Sequence, residues 1–341
     1  MECKILKKNP NEVRPLPKEL SDILKKAGQK LLVELDLVGP KNYVIGPLYG
    51  KYKEEIYNFP IRKNDVWIVT LGRSGTTLMT EMIWQICNNM DFKTGLEKLL
   101  IERVPFFEFA LIKKMEGQKE KLLKENANDP KKCETIRAVL TPEWEKTEYP
   151  ETRIYKTHFS LSLLPSELTK EGRVVYVARN PKDMAVSAYH FSNNFEDQPP
   201  FEKFWELFEK ELIWSKVEHT LEAWNIRHQE NVLFLFYEDI VKDMKGTILR
   251  VVKFLGKSYT NAEIDKLTEH MKFDNFKKND SVNKDYFGTF INTGKDFTHV
   301  RKGASNIHEE LFTKELSERA DNWIRENYYK KSDIRFYSVP E

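Results

Sequence analysis

Val66-Trp67-Ile68-Val69-Thr70-Leu71-Gly72-Arg73-Ser74-Gly75-Thr76-Thr77 carries a β-rich, nearly continuous apolar run straight through a glycine-containing turn into the start of a helix. The run Val66–Thr70 has the pattern of a strand covered on both faces, and residues 76–88 have helical spacing. A turn placed between such a strand and helix is where phosphates bind. Gly72 and Gly75 let the backbone tighten until several N–H groups aim at one oxygen cluster. The helix N-terminus adds its partial positive charge. Ser74, Thr76 and Thr77 supply hydroxyls, and Arg73 supplies a full charge. The plain alternative is an ordinary strand–turn–helix capped by a threonine. A nucleoside-triphosphate loop is disfavoured, because it needs GxxxxGK[ST] and no Gly-Lys pair here has a glycine five positions earlier.

The same strand-then-helix rhythm recurs along the chain. Short apolar runs at 153–155, 174–178 and 232–237 alternate with helical spacing at 181–193, 201–228 and 244–256. Strands alternating with helices predict an α/β fold with a central parallel sheet flanked by helices. With no internal repeat and no Pro/Gly/Ser-rich linker, the expectation is a single domain over 1–341, with a helical segment at 309–328 near its end. The lysine-rich stretches at 113–132 and 275–300 read as long connections or lids.

Composition narrows the classes of function. The 341 residues carry 55 Lys plus Arg against 53 Asp plus Glu, a formal charge of +2. No global field suited to duplex nucleic acid or an anionic membrane follows from that balance, so any anion site must be local. Cys3, Cys87 and Cys133 are odd in number and lack CxxC spacing, which argues against a disulfide framework and against zinc. No stretch approaches the roughly 18 uninterrupted apolar residues of a spanning helix. A soluble, cytoplasmic protein without metal is expected.

Two further turns carry cations. Residues 174–178 run into Arg179-Asn180-Pro181-Lys182-Asp183, with Pro181 suited to the first helical position. Ser187 lies six residues on, roughly 9 Å along the axis, so that Arg179 and Ser187 can grip one phosphate. Between the two turns, Arg153-Ile154-Tyr155-Lys156-Thr157-His158 ends a strand in a cation, a hydroxyl and a histidine. A histidine at that edge of a parallel sheet, with an ordinary pKa near 6.5, can take a proton from a hydroxyl at neutral pH. Lys156 can neutralise a departing phosphate while it does so. Arg301-Lys302-Gly303 adds a cation pair beside a glycine.

Taken in order, these segments resemble the cytosolic sulfotransferases from about residue 59 to 303. TLGRSGTT is similar to the family's 5′-phosphosulfate loop TYPKSGTT, RIYKTH to its KTHLP segment, and VVYVARNPKDMAVSAYHF to its 3′-phosphate stretch. LFLFYEDI and RKG follow in place, and RVPFFEF looks like the acceptor-pocket segment RVPFLEF. The resemblance implies a transfer of the sulfuryl group from 3′-phosphoadenosine 5′-phosphosulfate (PAPS) to a hydroxyl of a small lipophilic phenol, alcohol, sterol or retinoid, leaving PAP. It makes His158 the general base, Arg73 the charge on the bridging phosphate oxygen and Lys156 its assistant, with a P-loop-like turn of Arg73, Ser74, Gly75, Thr76 and Thr77 around the 5′ group. Arg179, Ser187, Arg301, Lys302 and Gly303 would hold the 3′-phosphate, Tyr237 and Phe273 the adenine, and Phe106, Phe109 and Phe191 the acceptor.

The chain departs from the family pattern at several places. Arg73 stands for lysine, Leu78 for the usual tryptophan, Phe159-Ser160 for Leu-Pro, and Ala304-Ser305-Asn306-Ile307-His308 for the GDWK stretch. The KxxxTVxxxE dimer segment is not reproduced, so a monomer or weak homodimer is implied. Arginine in the first loop together with LFLFYED is similar to insect sulfotransferases of the retinol dehydratase kind. The rivals are a kinase sharing the loop logic, and a member of the fold that binds nucleotide or lipophile with little turnover.

Overall fold

The computed structural model describes residues 7–28, 34–112, 117–195, 197–283 and 300–340. Seven strands occur among them, in two sheets. Near the N-terminus, β1 (Val13–Pro15), β2 (Asp36–Val38) and β3 (Tyr43–Ile45) form an antiparallel ribbon that the sequence patterning did not reveal, because three-residue strands are too short to show a period. The main sheet consists of β4 (Val66–Thr70), β5 (Ile154–Thr157), β6 (Arg173–Ala178) and β7 (Val232–Phe236), all parallel, in the order β5-β4-β6-β7. This is the expected α/β sheet.

Alternation along these strands feeds two cores. Trp67, Val69, Tyr155, Val174 and Tyr176 pack on one face, and Val66, Ile68, Ile154, Val175 and Val177 on the other. Apolar residues on both faces are what drive helices to cover both sides. The strand expected at 153–155 begins one residue later and ends two later, at Ile154–Thr157. Arg153 is instead a buried anchor, its guanidinium paired with Asp65 at the base of β4, where removing one partner typically costs 3–5 kcal/mol, on the order of a third of a domain's stability.

Helical expectations held at Thr76–Cys87, Pro181–Ser192 and Met244–Phe254. The stretch 201–228 is not one helix. It breaks into Phe201–Glu209 and Val217–Asn225, and Glu211 and Trp214 between them take left-handed backbone conformations with φ of 56° and 55°. The lysine-rich stretch 113–132 is also corrected in part, since Gln118–Glu125 and Pro130–Leu140 are helices. Residues 113–116 and 284–299, which fall in the two expected connections, lie outside the described residues. The segment at 309–328 is mainly the helix Lys314–Ile324, which continues as a π-turn over Arg325–Tyr329. Among the described residues, no helix is long and apolar enough to cross a membrane.

Register explains where a site can form. Val69 pairs with Thr157 and Thr70 with Val177, so β4, β5 and β6 end nearly level. The chain leaves β4 for β5 on one side and returns to β6 on the other, and ligands bind outside the strand ends at such a switch point.

Candidate active site

At that edge the turn after β4 holds Arg73 at φ 68° and Gly75 at φ 93°. A side chain at position 75 has no room, because a Cβ there would lie 2.6 Å from the Tyr237 ring. The helix Thr76–Cys87 begins at Gly75 without a side-chain cap, so its first amides are left for an anion. Thr76 hydrogen-bonds Thr70 through their hydroxyls at 2.6 Å, which ties the turn to the strand. Ser74 is the exception among the expected loop residues. Its hydroxyl donates to the Met184 sulfur at 3.4 Å, and the buried side chain is off the cavity wall.

A cavity of ≈ 370 Å³ opens over this turn. Arg73, Gly75, Thr76 and Thr77 line it, as do Arg179, Ser187 and the Arg301-Lys302-Gly303 group, so residues far apart in sequence converge. Arg179 also binds the loops together, with Nη1 donating to the Arg73 carbonyl at 2.8 Å and Nη2 to the Ala304 carbonyl at 3.1 Å. It lies over the Tyr237 ring, 4.3 Å from its centroid. The expected Arg179–Ser187 grip is arranged differently, since it is Arg73 Nε that reaches Ser187 Oγ, at 3.3 Å. Tyr237 and Phe273 line the same cavity, and Leu78 is on its wall. Gly303, at φ 60°, lets the Phe273 ring approach to within 2.2 Å of where a Cβ would stand. An uncapped helix start, two glycine close approaches and converging cations fit a nucleotide that carries two phosphate-type groups.

His158 is the first residue beyond β5, and Lys156 is within it. The segment Pro105-Phe106-Phe107 runs beside that strand end, Lys156 N–H donating to Pro105 O at 3.0 Å and Phe107 N–H to Lys156 O at 2.9 Å. Pairing of this kind brings Phe106 and Glu108 to the same edge. His158 Nδ1 donates to the Thr70 carbonyl at 2.9 Å, which leaves the ring's lone pair at Nε2. Burial pushes the His158 pKa down to about 4, the Thr70 carbonyl opposing and the Lys156 ammonium reinforcing the shift. The imidazole is therefore neutral at physiological pH and able to accept a proton. Burial pushes the Glu108 carboxyl up to about 7, against the contacts from Thr157 and the His158 amide. Its Oε1 accepts from the His158 backbone N–H.

A second cavity, ≈ 600 Å³ in volume, adjoins the first, and Gly72, Phe106, His158 and Trp214 line both. Much of the second wall is apolar, with Leu35, Val44, Ile45, Leu111 and Ile213 among its residues. Of the three expected acceptor aromatics, only Phe106 is on it. Phe109 packs into a separate core with Ile101, Ile136 and Leu140 and backs Phe106 at a ring separation of 6.1 Å. Phe191 lines the first cavity instead, under the Arg73 guanidinium at 4.5 Å, because its helix lies on the cation side.

Sequence reasoning missed Trp214, Glu108 and His219. Trp214 stands against Phe191 edge to face at 5.5 Å, donates its indole N–H to Ser192 Oγ at 3.0 Å, and comes so close to Gly72 that a Cβ there would be 2.8 Å away. No glycine marks the left-handed turns that put it there. Glu108 lies within RVPFFEF, whose aromatic residues draw the reading to themselves, and nothing in the residue types points to His219, which is buried with Nδ1 on the Tyr176 hydroxyl at 2.8 Å.

Comparison with known proteins places this geometry. A family model described as "Sulfotransferase domain" matches residues 63–332. Sulfotransferase 1A1 of Rattus norvegicus is 32% identical over 285 residues, covering 81% of this chain and 89% of that protein. Retinol dehydratase in complex with androsterone and inactive cofactor PAP superposes with a TM-score of 0.84 at 32% identity, over 96% of this chain and 98% of that one. The same enzyme in a complex with retinol and PAP gives a TM-score of 0.79 at 31% identity, over 96% and 99%.

Proposed function

Because the chain belongs to the cytosolic sulfotransferase family and is a sulfotransferase enzyme, we propose that it moves the sulfuryl group of PAPS onto the hydroxyl of a small lipophilic acceptor, with His158 as general base. One observation carries the reading. His158 stands on the wall shared by a cation-lined cavity and a largely apolar one, so a hydroxyl reaching through from the apolar side meets an imidazole with its lone pair available.

PAPS, when bound, supplies an electrophilic sulfur with PAP as its leaving group. The rest is the work of the chain. His158 Nε2 takes the acceptor's hydroxyl proton, and the Thr70 carbonyl holds the ring in the tautomer that allows it. Arg73 offsets the negative charge that develops as PAP departs, and Lys156 assists from β5. A guanidinium stays protonated, so Arg73 acts by charge and not as an acid. Arg179, Ser187, Arg301, Lys302 and Gly303 hold the 3′-phosphate, and Tyr237 and Phe273 the adenine. Phe106 and Trp214 flank the passage between the cavities. A sterol or retinoid alcohol is the acceptor class favoured, in keeping with the androsterone and retinol bound by the retinol dehydratase structures. Residues 1–341 act as one domain in this reading.

The test is a panel of hydroxylated phenols, sterols and retinoids incubated with radiolabelled PAPS. Sulfated product supports the reading. Binding of PAP without any product points to a member of the fold that only binds, and binding of ATP in preference to PAP points to a kinase.

A further inference from the structure

Two of the cations on the donor cavity are already engaged with a carboxylate of the chain itself. Glu310 closes a short 3-10 turn, Ile307–Glu310, seven residues beyond Gly303. Its Oε1 is 2.6 Å from Lys302 Nζ and its Oε2 3.0 Å from Arg301 Nη1. His190 Nε2, on the Pro181–Ser192 helix, is 3.6 Å from the same Oε2. The carboxyl is about a quarter exposed, and Lys302 and Arg301 hold it below the usual carboxylate range against the opposing effect of partial burial. It is therefore an anion at neutral pH. Arg301 keeps a buried Nη2 without a hydrogen-bond partner beside this pair.

We propose that Glu310 is a built-in counter-anion of the 3′-phosphate subsite, which competes with that phosphate for Arg301 and Lys302 and so limits donor affinity and hastens the departure of PAP. The inference rests on the reading that Arg301 and Lys302 hold the 3′-phosphate. A carboxylate carries one charge, and a phosphate monoester carries about −1.5 to −2 near pH 7. The phosphate thus wins when it is present, but against a subsite whose charge is already partly cancelled. Since Glu310 is bidentate across two different side chains, both cations must loosen their hold for the phosphate to take a full share. When PAP leaves, the carboxylate is at hand to replace it, so the cations are never left uncompensated. Product release sets turnover in many well-evolved enzymes, and a resident competitor acts on that step.

The experiment measures binding of PAP and of adenosine 5′-monophosphate, which differ only in the 3′-phosphate, to wild type, Glu310→Gln and Glu310→Asp by calorimetry. Thermal melting of the unliganded proteins checks that each is folded. Glutamine keeps the shape of the side chain and removes its charge. The expected result is PAP binding tightened about three- to tenfold in Glu310→Gln, adenosine 5′-monophosphate unchanged within twofold, and slower steady-state turnover with an unchanged single-turnover rate. Glu310→Asp, which keeps the charge, stays within about twofold of wild type for both ligands. Weaker PAP binding in Glu310→Gln overturns the proposal, because it means that the carboxylate orients the cations for the phosphate. Equal tightening of both nucleotides also overturns it. Failure of wild type to prefer PAP over adenosine 5′-monophosphate rejects instead the 3′-phosphate reading on which it stands.

Discussion

His158 Nδ1 lies 2.9 Å from the carbonyl oxygen of Thr70, the last residue of the central strand. One backbone carbonyl thus fixes both the tilt and the tautomer of the imidazole. Because that carbonyl immediately precedes the glycine-containing turn, base and turn are held to the same rigid strand end. If the ring takes the acceptor's proton, His158→Ala lowers the maximal rate by about 10² to 10⁴ while PAP affinity, measured by calorimetry, changes little. Turnover within a few fold of wild type rules the assignment out.

Burial sets an unusual pH response. His158 and His219 are both pushed down to about 4 by desolvation. Each ring is neutral in the folded chain and protonates near 6.5 in the unfolded one, so the unfolded state binds more protons between about 4 and 6.5. Stability contributed by the two rings is fully present above 6.5 and falls as the pH drops through that window. Denaturant midpoints measured from pH 7 to pH 5 show this loss in wild type and a shallower one in His158→Gln. The acid limb of kcat/KM lies well below 6.5; a limb centred at 6.5 contradicts the neutral buried base.

Arg73 permits a test of charge apart from shape. Its backbone is left-handed at φ 68°, a strain shared by any side chain except glycine, so lysine and methionine start from the same backbone cost. Arg73→Lys keeps single-turnover rates within about tenfold of wild type, because the charge survives while only the stack over Phe191 and the Nε hydrogen bond to Ser187 are lost. Arg73→Met falls by about 10² or more. Equal rates for the two variants move the catalytic charge to Lys156.

The 3′-phosphate assignment is best tested at Ser187. Arg179 ties the Arg73 and Ala304 carbonyls together besides facing the 3′-phosphate, so Arg179→Ala weakens PAP more than adenosine 5′-phosphosulfate but does not spare the latter. Ser187→Ala removes one hydroxyl from the wall, costing PAP about tenfold, equivalent to roughly 1.5 kcal/mol for a hydrogen bond to a charged group, and leaving adenosine 5′-phosphosulfate within about twofold. Equal losses at Ser187 for both ligands remove it from the phosphate site.

What could be read from the sequence divides along a physical line. The sheet was legible because Val66–Thr70 and its parallel neighbours are apolar on both faces, and that requirement is written residue by residue. The turns at 71–75 and 179–181 were legible because glycine and proline announce their backbone. Trp214 was not, since its position depends on left-handed turns at Glu211 and itself, in a stretch whose helical spacing continues without interruption. Phe109 and Phe191 illustrate the same limit. An aromatic residue fits a core, a cavity wall or a cation equally well, and only packing chooses among them.

The two cavities draw on different parts of the chain. The nucleotide side is built on the ends of β4 and β6 and the helices that follow them, whereas much of the apolar side comes from the ribbon around Tyr43–Ile45 and the helix break at 211–216. Those latter segments carry no strand of the parallel sheet, so replacements there leave its register alone, although Tyr43 and Ile45 also pack into one of its two cores. Mutational drift in such a molecule leaves the sheet's register intact on the apolar side and puts it at risk on the cation side. A lineage built this way can diversify its choice of hydroxyl compound through a few segments outside the parallel sheet while the chemistry it performs is inherited unchanged.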